Sequence, residues 1–247
     1  MTSERPRRII LTGASRGLGL EFTRYWLAAG HHVFALARSA STSDGLAKLA
    51  ADHGKALHRF DMTVADEESV TRAGAHIGAT WDAADLLLNN AGIYKHKGDT
   101  LADLNLDDCL ETIKVNTLGP IRMARALRPL LRMGDRPRII NMTSLMGSIA
   151  DNSSGGSWGY RMSKTALNMA SRNMAHELVS DGIIAVVIHP GWVRTDMGGA
   201  AAPLTIQEAV AAMTRAMDNF TIAQGAVSTT VTANPCPGEE DLSTPTR

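Results

Sequence analysis

A phenol and an amine stand four residues apart in Trp158-Gly159-Tyr160-Arg161-Met162-Ser163-Lys164. Behind them Ala166, Leu167, Ala170, Met174 and Leu178 recur at three- and four-residue steps, the period of a helix with one apolar side. On such a helix Tyr160 and Lys164 share a face, one turn apart. A free tyrosine ionises near pH ~10, too high for a base at neutral pH, and a fixed neighbouring cation favours the phenolate. Lowering the value by about three units takes roughly 4 kcal/mol. Such a pair can pass a proton to or from a carbonyl or alcohol oxygen. Tyr and Lys at this spacing are often only a helix face, so the rest of the chain decides.

The first element that must position them is a strand, Arg8-Ile9-Ile10-Leu11-Thr12, followed by Gly13-Ala14-Ser15-Arg16-Gly17-Leu18-Gly19 and a helical pattern through Leu20, Phe22, Trp26 and Leu27 that Gly30 closes. Strand, glycine turn and helix in that order make the first half of a dinucleotide-binding unit. The glycines let backbone approach a pyrophosphate, and the helix N-terminus offers it amides and a positive dipole end. Three residues separate the first two glycines, unlike the G-x-G-x-x-G form. The second strand, His32 to Ala37, ends at Arg38, followed by Ser39, Ala40 and Ser41. NAD sites usually place an acid there, about 20 residues past the glycines. A guanidinium instead suits a 2′-phosphate through paired hydrogen bonds, with Arg16 a second candidate, which favours NADP(H) as cofactor. NAD-linked alcohol oxidation is a competing reading.

Leu57-His58-Arg59-Phe60 reads as strand three and ends at Asp61, placed to meet an adenine amino group or to cap the next helix. Asp85-Leu86-Leu87-Leu88-Asn89-Asn90-Ala91-Gly92 is strand four and its exit, where open α/β sheets bind ligands, though Asn89 also suits a bond between strands. Leu106 to Leu131 is one long helical stretch in which Asn116 is a poor helix former and Pro120 frees the Asn116 carbonyl. A kink and a bound water are expected there. Arg136 to Met142 leads into Thr143-Ser144-Leu145-Met146-Gly147, a strand exit that presents a hydroxyl, and a polar loop over 151–157 feeds the Tyr160 helix. Ile183 to Ile188 is strand six, which His189-Pro190-Gly191-Trp192-Val193-Arg194-Thr195-Asp196 leaves. Met197 to Pro203 has the composition of a mobile lid or a plain connector before a helix near Thr205 to Met217. The pattern predicts an α/β fold, a Rossmann-like doubly wound parallel sheet of six to seven strands with helices on both faces.

A chain of 247 residues, 44% hydrophobic, can bury a full core, and 25 basic against 25 acidic side chains argue against nucleic acid or an anionic membrane as partner. The expected organisation is one domain over 1–232 and a proline-rich disordered tail over 233–247. Arg5, Arg7 and Arg8 read as a solvated lead-in to strand one. No apolar run suggests a membrane span, and the first residues lack a signal-peptide core. Two cysteines, Cys109 and Cys236, and no Cys/His/carboxylate set at ligand spacing predict a reduced, cytoplasmic protein with no metal.

Together these motifs resemble the short-chain dehydrogenase/reductase family over about residues 7 to 218. Thr12-Gly13-x-x-x-Gly17-x-Gly19 is similar to its cofactor turn and Asn89-Asn90-Ala91-Gly92 to its sheet-supporting motif. The resemblance implies a catalytic tetrad of Asn116, Ser144, Tyr160 and Lys164 and a nicotinamide-side loop at Pro190, Gly191, Val193 and Thr195. It further implies cofactor contacts at Ser15, Leu18, Met62, Ala91 and Val115. Within the family the segments around Tyr160 and Gly191 look most like C-factor/sniffer-type carbonyl reductases. The implied activity is NADP(H)-dependent reduction of an aldehyde or ketone, with a catalytically silent nucleotide sensor as the rival. The substrate is then a small carbonyl or alcohol compound, its pocket lined around Leu145, Met146, Ser153 to Trp158, Trp192 and Met197. Homodimer, homotetramer and monomer all stay open. Two departures stand out: the Ser144-to-Tyr160 interval is longer than common, with Thr143 and Ser148 as fallback hydroxyls. Only small residues, Ala226 to Thr232, are available for a seventh strand.

Overall fold

The computed structural model describes residues 5–220 and the backbone of 231–232. Six strands, β1 (Arg8–Thr12), β2 (His32–Ala37), β3 (Leu57–Asp61), β4 (Leu86–Asn89), β5 (Arg138–Met142) and β6 (Ile184–His189), run parallel. A two-residue β7 (Val231–Thr232) pairs with the end of β6, giving the order β3-β2-β1-β4-β5-β6-β7. The order reverses between β1 and β4, and that switch opens a crevice at the carboxyl ends of the strands. The expected tail over 233–247 lies outside the described residues.

Alternate strand residues feed two separate cores, as the two-residue period of a strand requires. Ile9, Leu11, Val33 and Ala35 pack with Phe22 and Trp26 of α1 (Gly17–Ala28) and with Val210 and Met213 of α7 (Ile206–Asn219), with Leu46 of α2 (Asp44–His53) in the same cluster. Ile10, Phe34, Leu87 and Ile139 pack on the other face against α3 (Glu67–Thr80), α5 (Gly119–Leu131) and α6 (Trp158–Leu178) through Ile77, Leu127 and Leu178. Sheets covered on both faces carry continuous apolar strands, which is why β4 and β5 are buried at every position. No helix among the described residues is long and apolar enough to cross a membrane.

Three details differ from expectation. The stretch 106–131 is not one regular α-helix. Between α4 (Leu106–Ile113) and α5 lies a π-helical turn, Lys114–Leu118, where Gly119 N–H reaches back to the Lys114 carbonyl. The wide turn absorbs the N–H that Pro120 lacks, and the proline stands in the first turn of α5. Arg5 and Arg8 both pair with the buried Asp85; Arg8 is largely covered, while Arg5 stays half exposed. The long Ser144-to-Tyr160 interval is taken up by Gly155, Gly156 and Ser157, three successive residues with positive φ that fold the extra chain back before α6 begins.

Candidate functional site

At the exit of β1, Asn90 rather than Asn89 locks the glycine turn. Its amide donates to the Thr12 and Gly13 carbonyls at 3.0 and 3.2 Å, while the Thr12 hydroxyl accepts from the backbone of Asn90 and Ala91. Gly13 has φ +69°, and a Cβ there would meet Ala91 Cα at 2.9 Å, so backbone packs on backbone. No side chain caps the start of α1 and no acid lies in its first turn, which leaves its first amides for an anion. Leu18 packs into the first core, and the Ser15 carbonyl accepts from Ser43, the cap of α2.

Arg38 is exposed at the end of β2 and makes no ion pair with the described residues, so its guanidinium is available to a phosphate. Arg16 instead pairs with Asp196, both well exposed at 70% and 81%, a contact weak enough to be exchanged. Asp61 does not cap a helix; Asp66 does that for α3. Both Asp61 oxygens accept from Ser41, at 2.8 and 2.5 Å, which tethers the loop after β2 and holds the carboxyl below its usual range. Met62 is 4% exposed and its amide donates to the Ala37 carbonyl, so its expected ligand contact reduces to packing. Asn89 is likewise turned from the crevice: its amide donates to Asn141 inside the sheet, the structural one of its two readings.

The exits of β4 and β5 and the π turn meet around Tyr160 and Lys164. Ser144 follows β5, caps the short turn 145–147, and its hydroxyl lies beside Tyr160, where it acts to lower the phenol's pKa. The fallback hydroxyls are engaged elsewhere, Thr143 with Asn168 and Ser148 with the Asp151 amide. Asn116 sits in the π turn, its amide donating to the Ile93 carbonyl and to Ser163 while its oxygen accepts from Ile93 N–H. Val115 precedes it, packed against the second core. Gly92 lies between: a Cβ there would be 3.3 Å from Asn116 Oδ1 and 3.8 Å from Lys164 Nζ.

Lys164 departs from expectation. Its ammonium donates to the Met142 carbonyl at 2.7 Å and stands 5.6 Å from the Tyr160 ring centre. Burial alone pushes it down to about 8. Tyr160, 8% exposed, is pushed up to about 12, chiefly by burial, with the Ser144 bond acting the other way. The lysine therefore does not make this phenol acidic here; desolvation wins.

Tyr94 was invisible to sequence reasoning. Its ring stacks on Tyr160 at 4.2 Å between centres and 18° between planes, and its hydroxyl meets Ser157 Oγ at 2.6 Å. After β6, Gly191 (φ +79°) turns the chain under Leu204, which pairs with Val193, and Pro190 precedes the turn. Thr195 holds the Gly198 amide and Trp192 donates to the Gly198 carbonyl, so the 191–204 excursion is folded on itself rather than strung as a plain connector. Among the described residues no group of His, Cys, Asp and Glu is placed to hold a metal ion.

The sequence pattern described as short chain dehydrogenase matches residues 7–203. The chain belongs to the short chain dehydrogenase family. It is 46% identical to the C-signal of Myxococcus xanthus over 136 residues, 55% of this chain and 81% of that one. Among solved structures it is similar to the carbonyl reductase Sniffer of D. melanogaster, with TM-score 0.85 and 31% identity over 93% of this chain and 97% of that one. An NADPH-bound carbonyl reductase from chicken fatty liver matches as well, with TM-score 0.85 and 32% identity over 93% and 97%. The chain is thus a short-chain oxidoreductase with carbonyl reductases among its structural neighbours.

Proposed function

We propose that this short-chain oxidoreductase uses NADP(H) to reduce an aldehyde or ketone to the alcohol, with Tyr160 as the proton donor. The observation that carries the reading is the geometry around Tyr160: a buried phenol beside Ser144, with the Lys164 ammonium 5.6 Å from its ring centre, at the exits of β4 and β5 beside the glycine turn. The residues fit the nucleotide: uncapped amides at α1 and close-packed glycines suit the pyrophosphate, and the exposed Arg38, without an ion pair among the described residues, suits a 2′-phosphate. Asp61 keeps lone pairs toward an adenine amino group, and the segment holding Pro190, Gly191, Val193 and Thr195 would border the nicotinamide. NADPH-bound neighbours support the same choice. When bound, the nicotinamide supplies the hydride.

Tyr160 gives its hydroxyl proton to the oxygen of the carbonyl as that oxygen gains charge. Ser144 donates a hydrogen bond to the same oxygen and stabilises the charge. The Lys164 ammonium, 5.6 Å from the Tyr160 ring centre, would balance the phenolate left behind and would hold ribose hydroxyls. Asn116 has its side chain committed to Ile93 and Ser163, so a relay water there would use the main-chain carbonyl of the wide turn.

Oxidation of NADPH against a panel of aldehydes, ketones and quinones, with the alcohol identified, tests the reading. Binding of NADPH with no turnover across the panel contradicts it and favours a nucleotide sensor, a second reading to which the coverage of Tyr160 at 8% exposure lends weight. Because Lys164 is charged below about 8 and neutral above it, reductive kcat/KM is expected to stay flat to about pH 8 and then fall. A rate profile that rises through that range contradicts the role. Arg38→Asp removes a charged, bidentate phosphate partner and adds a repelling one. Fluorescence titration is expected to show NADPH binding weakened roughly ten- to a hundredfold, with NADH gaining. Unchanged NADPH affinity contradicts the assignment of Arg38.

A further inference from the structure

Tyr94 lies two residues past Gly92, on the segment that Asn116 grips through both polar groups of Ile93. The segment is fixed on every side. Lys95 and His96 bind Asp108 of α4 at 2.8 and 2.5 Å. The Gly98 amide donates to Ser157 Oγ, the oxygen that also meets the Tyr94 hydroxyl. The Lys97 ammonium lies 5.5 Å from the Tyr94 ring centre and donates to the Met197 carbonyl at 2.6 Å. The loops after β4, before α6 and after β6 therefore meet at one aromatic ring, and that ring covers a face of Tyr160. The fold needs no ring there: Tyr94 is only partly buried and belongs to neither apolar core.

We propose that Tyr94 is the specificity-determining wall of the substrate site, held over Tyr160 by its stack and its bond to Ser157, and that it admits small carbonyl compounds while excluding bulky ones. The inference rests on the reductase reading. A substrate must bring its oxygen to the hydroxyls of Tyr160 and Ser144 past the ring edge, so groups attached to the carbonyl meet the Tyr94 ring or must displace it. Displacing it breaks an offset aromatic stack and exposes a hydroxyl that Ser157 now satisfies.

The test compares the protein with Tyr94→Ala and Tyr94→Phe on propionaldehyde, acetophenone and benzophenone with NADPH. The quantity read is the ratio of kcat/KM for benzophenone to that for propionaldehyde, taken on one preparation so that unfolded protein cancels. Tyr94→Ala is expected to raise this ratio on the order of tenfold, through KM for the bulky ketone, while Tyr94→Phe, which keeps the ring, stays near the parent. A ratio unmoved in Tyr94→Ala overturns the proposal. A second readout needs no turnover: the chain has three tyrosines, so ring-labelled tyrosine resonances resolve the Tyr160 phenol in a pH titration. Opening the wall admits water, and Tyr160 ionisation is expected to fall from about 12 toward the ordinary tyrosine value in Tyr94→Ala. If no protein turns over any carbonyl, the reductase reading fails, and this titration alone decides whether Tyr94 shields Tyr160; an unshifted phenol then overturns the wall as well.

Discussion

Tyr160→Phe is expected to turn over carbonyl compounds at about a thousandth of the parent kcat or less, with KM for the carbonyl moving little. The substitution removes one oxygen. It leaves the ring, its stack on Tyr94 and its burial in place, so the fold and the crevice survive. What is lost is the proton that the forming alkoxide would take, and general acid catalysis contributes roughly a hundred- to ten-thousandfold. With the phenol pushed up to about 12 by burial, the proposed donor holds its proton throughout the neutral range. Initial rates with NADPH and an accepted aldehyde check the expectation. A near-normal kcat in Tyr160→Phe would remove Tyr160 from the mechanism.

Gly19→Ala is the second large effect, and it acts on the cofactor turn alone. A methyl group at position 19 would lie far inside van der Waals contact with the Gly13 carbonyl oxygen and 2.8 Å from Asn90 Nδ2. Neither is the loose end of a flexible side chain: the Gly13 oxygen is backbone, and Asn90 is held by two carbonyls of the turn. The turn has to open and α1 has to move, so the amides that would meet a pyrophosphate lose their geometry. NADPH affinity is expected to fall by about a hundredfold or more, with a stability loss of about 1–3 kcal/mol from overpacking. Gly78→Ala, on the exposed side of α3 with nothing within 4 Å of the added carbon, is the matched control and should bind NADPH as the parent does. Equal affinities for the two variants would contradict the placement of the pyrophosphate.

Much of this architecture was legible because it depends on short-range pattern. Apolar runs marked six strands close to their observed limits, and the three- and four-residue steps behind Tyr160 marked α6. The glycine turn followed from its place between a strand and a helix. The residues misjudged are those whose partners lie far along the chain. Which of Asn89 and Asn90 faces the turn depends on the register of β4, where a single residue reverses the side. The pairings of Asp61 with Ser41 and of Arg16 with Asp196 have no local signature. Lys164 stands at the right spacing, yet the Met142 carbonyl on the neighbouring strand draws its ammonium away and burial overrides its influence on the phenol. Tyr94 gave no signal, since an isolated tyrosine past a strand exit looks like any loop residue until the Tyr160 ring is seen beneath it. The opposite case is Pro120, whose missing N–H has a local signature, although the π turn that accommodates it does not.

The central claim is that this crevice carries out hydride transfer to a carbonyl, and a single-turnover reaction tests it most directly. The protein is mixed with NADPH deuterated at the transferring position of the nicotinamide and with an accepted aldehyde, and the product is examined by mass spectrometry. The account predicts an alcohol carrying one deuterium on the carbinol carbon, formed as NADPH is consumed. NADPH that binds tightly while the aldehyde is recovered unlabelled and unreduced, across the whole panel, would contradict it.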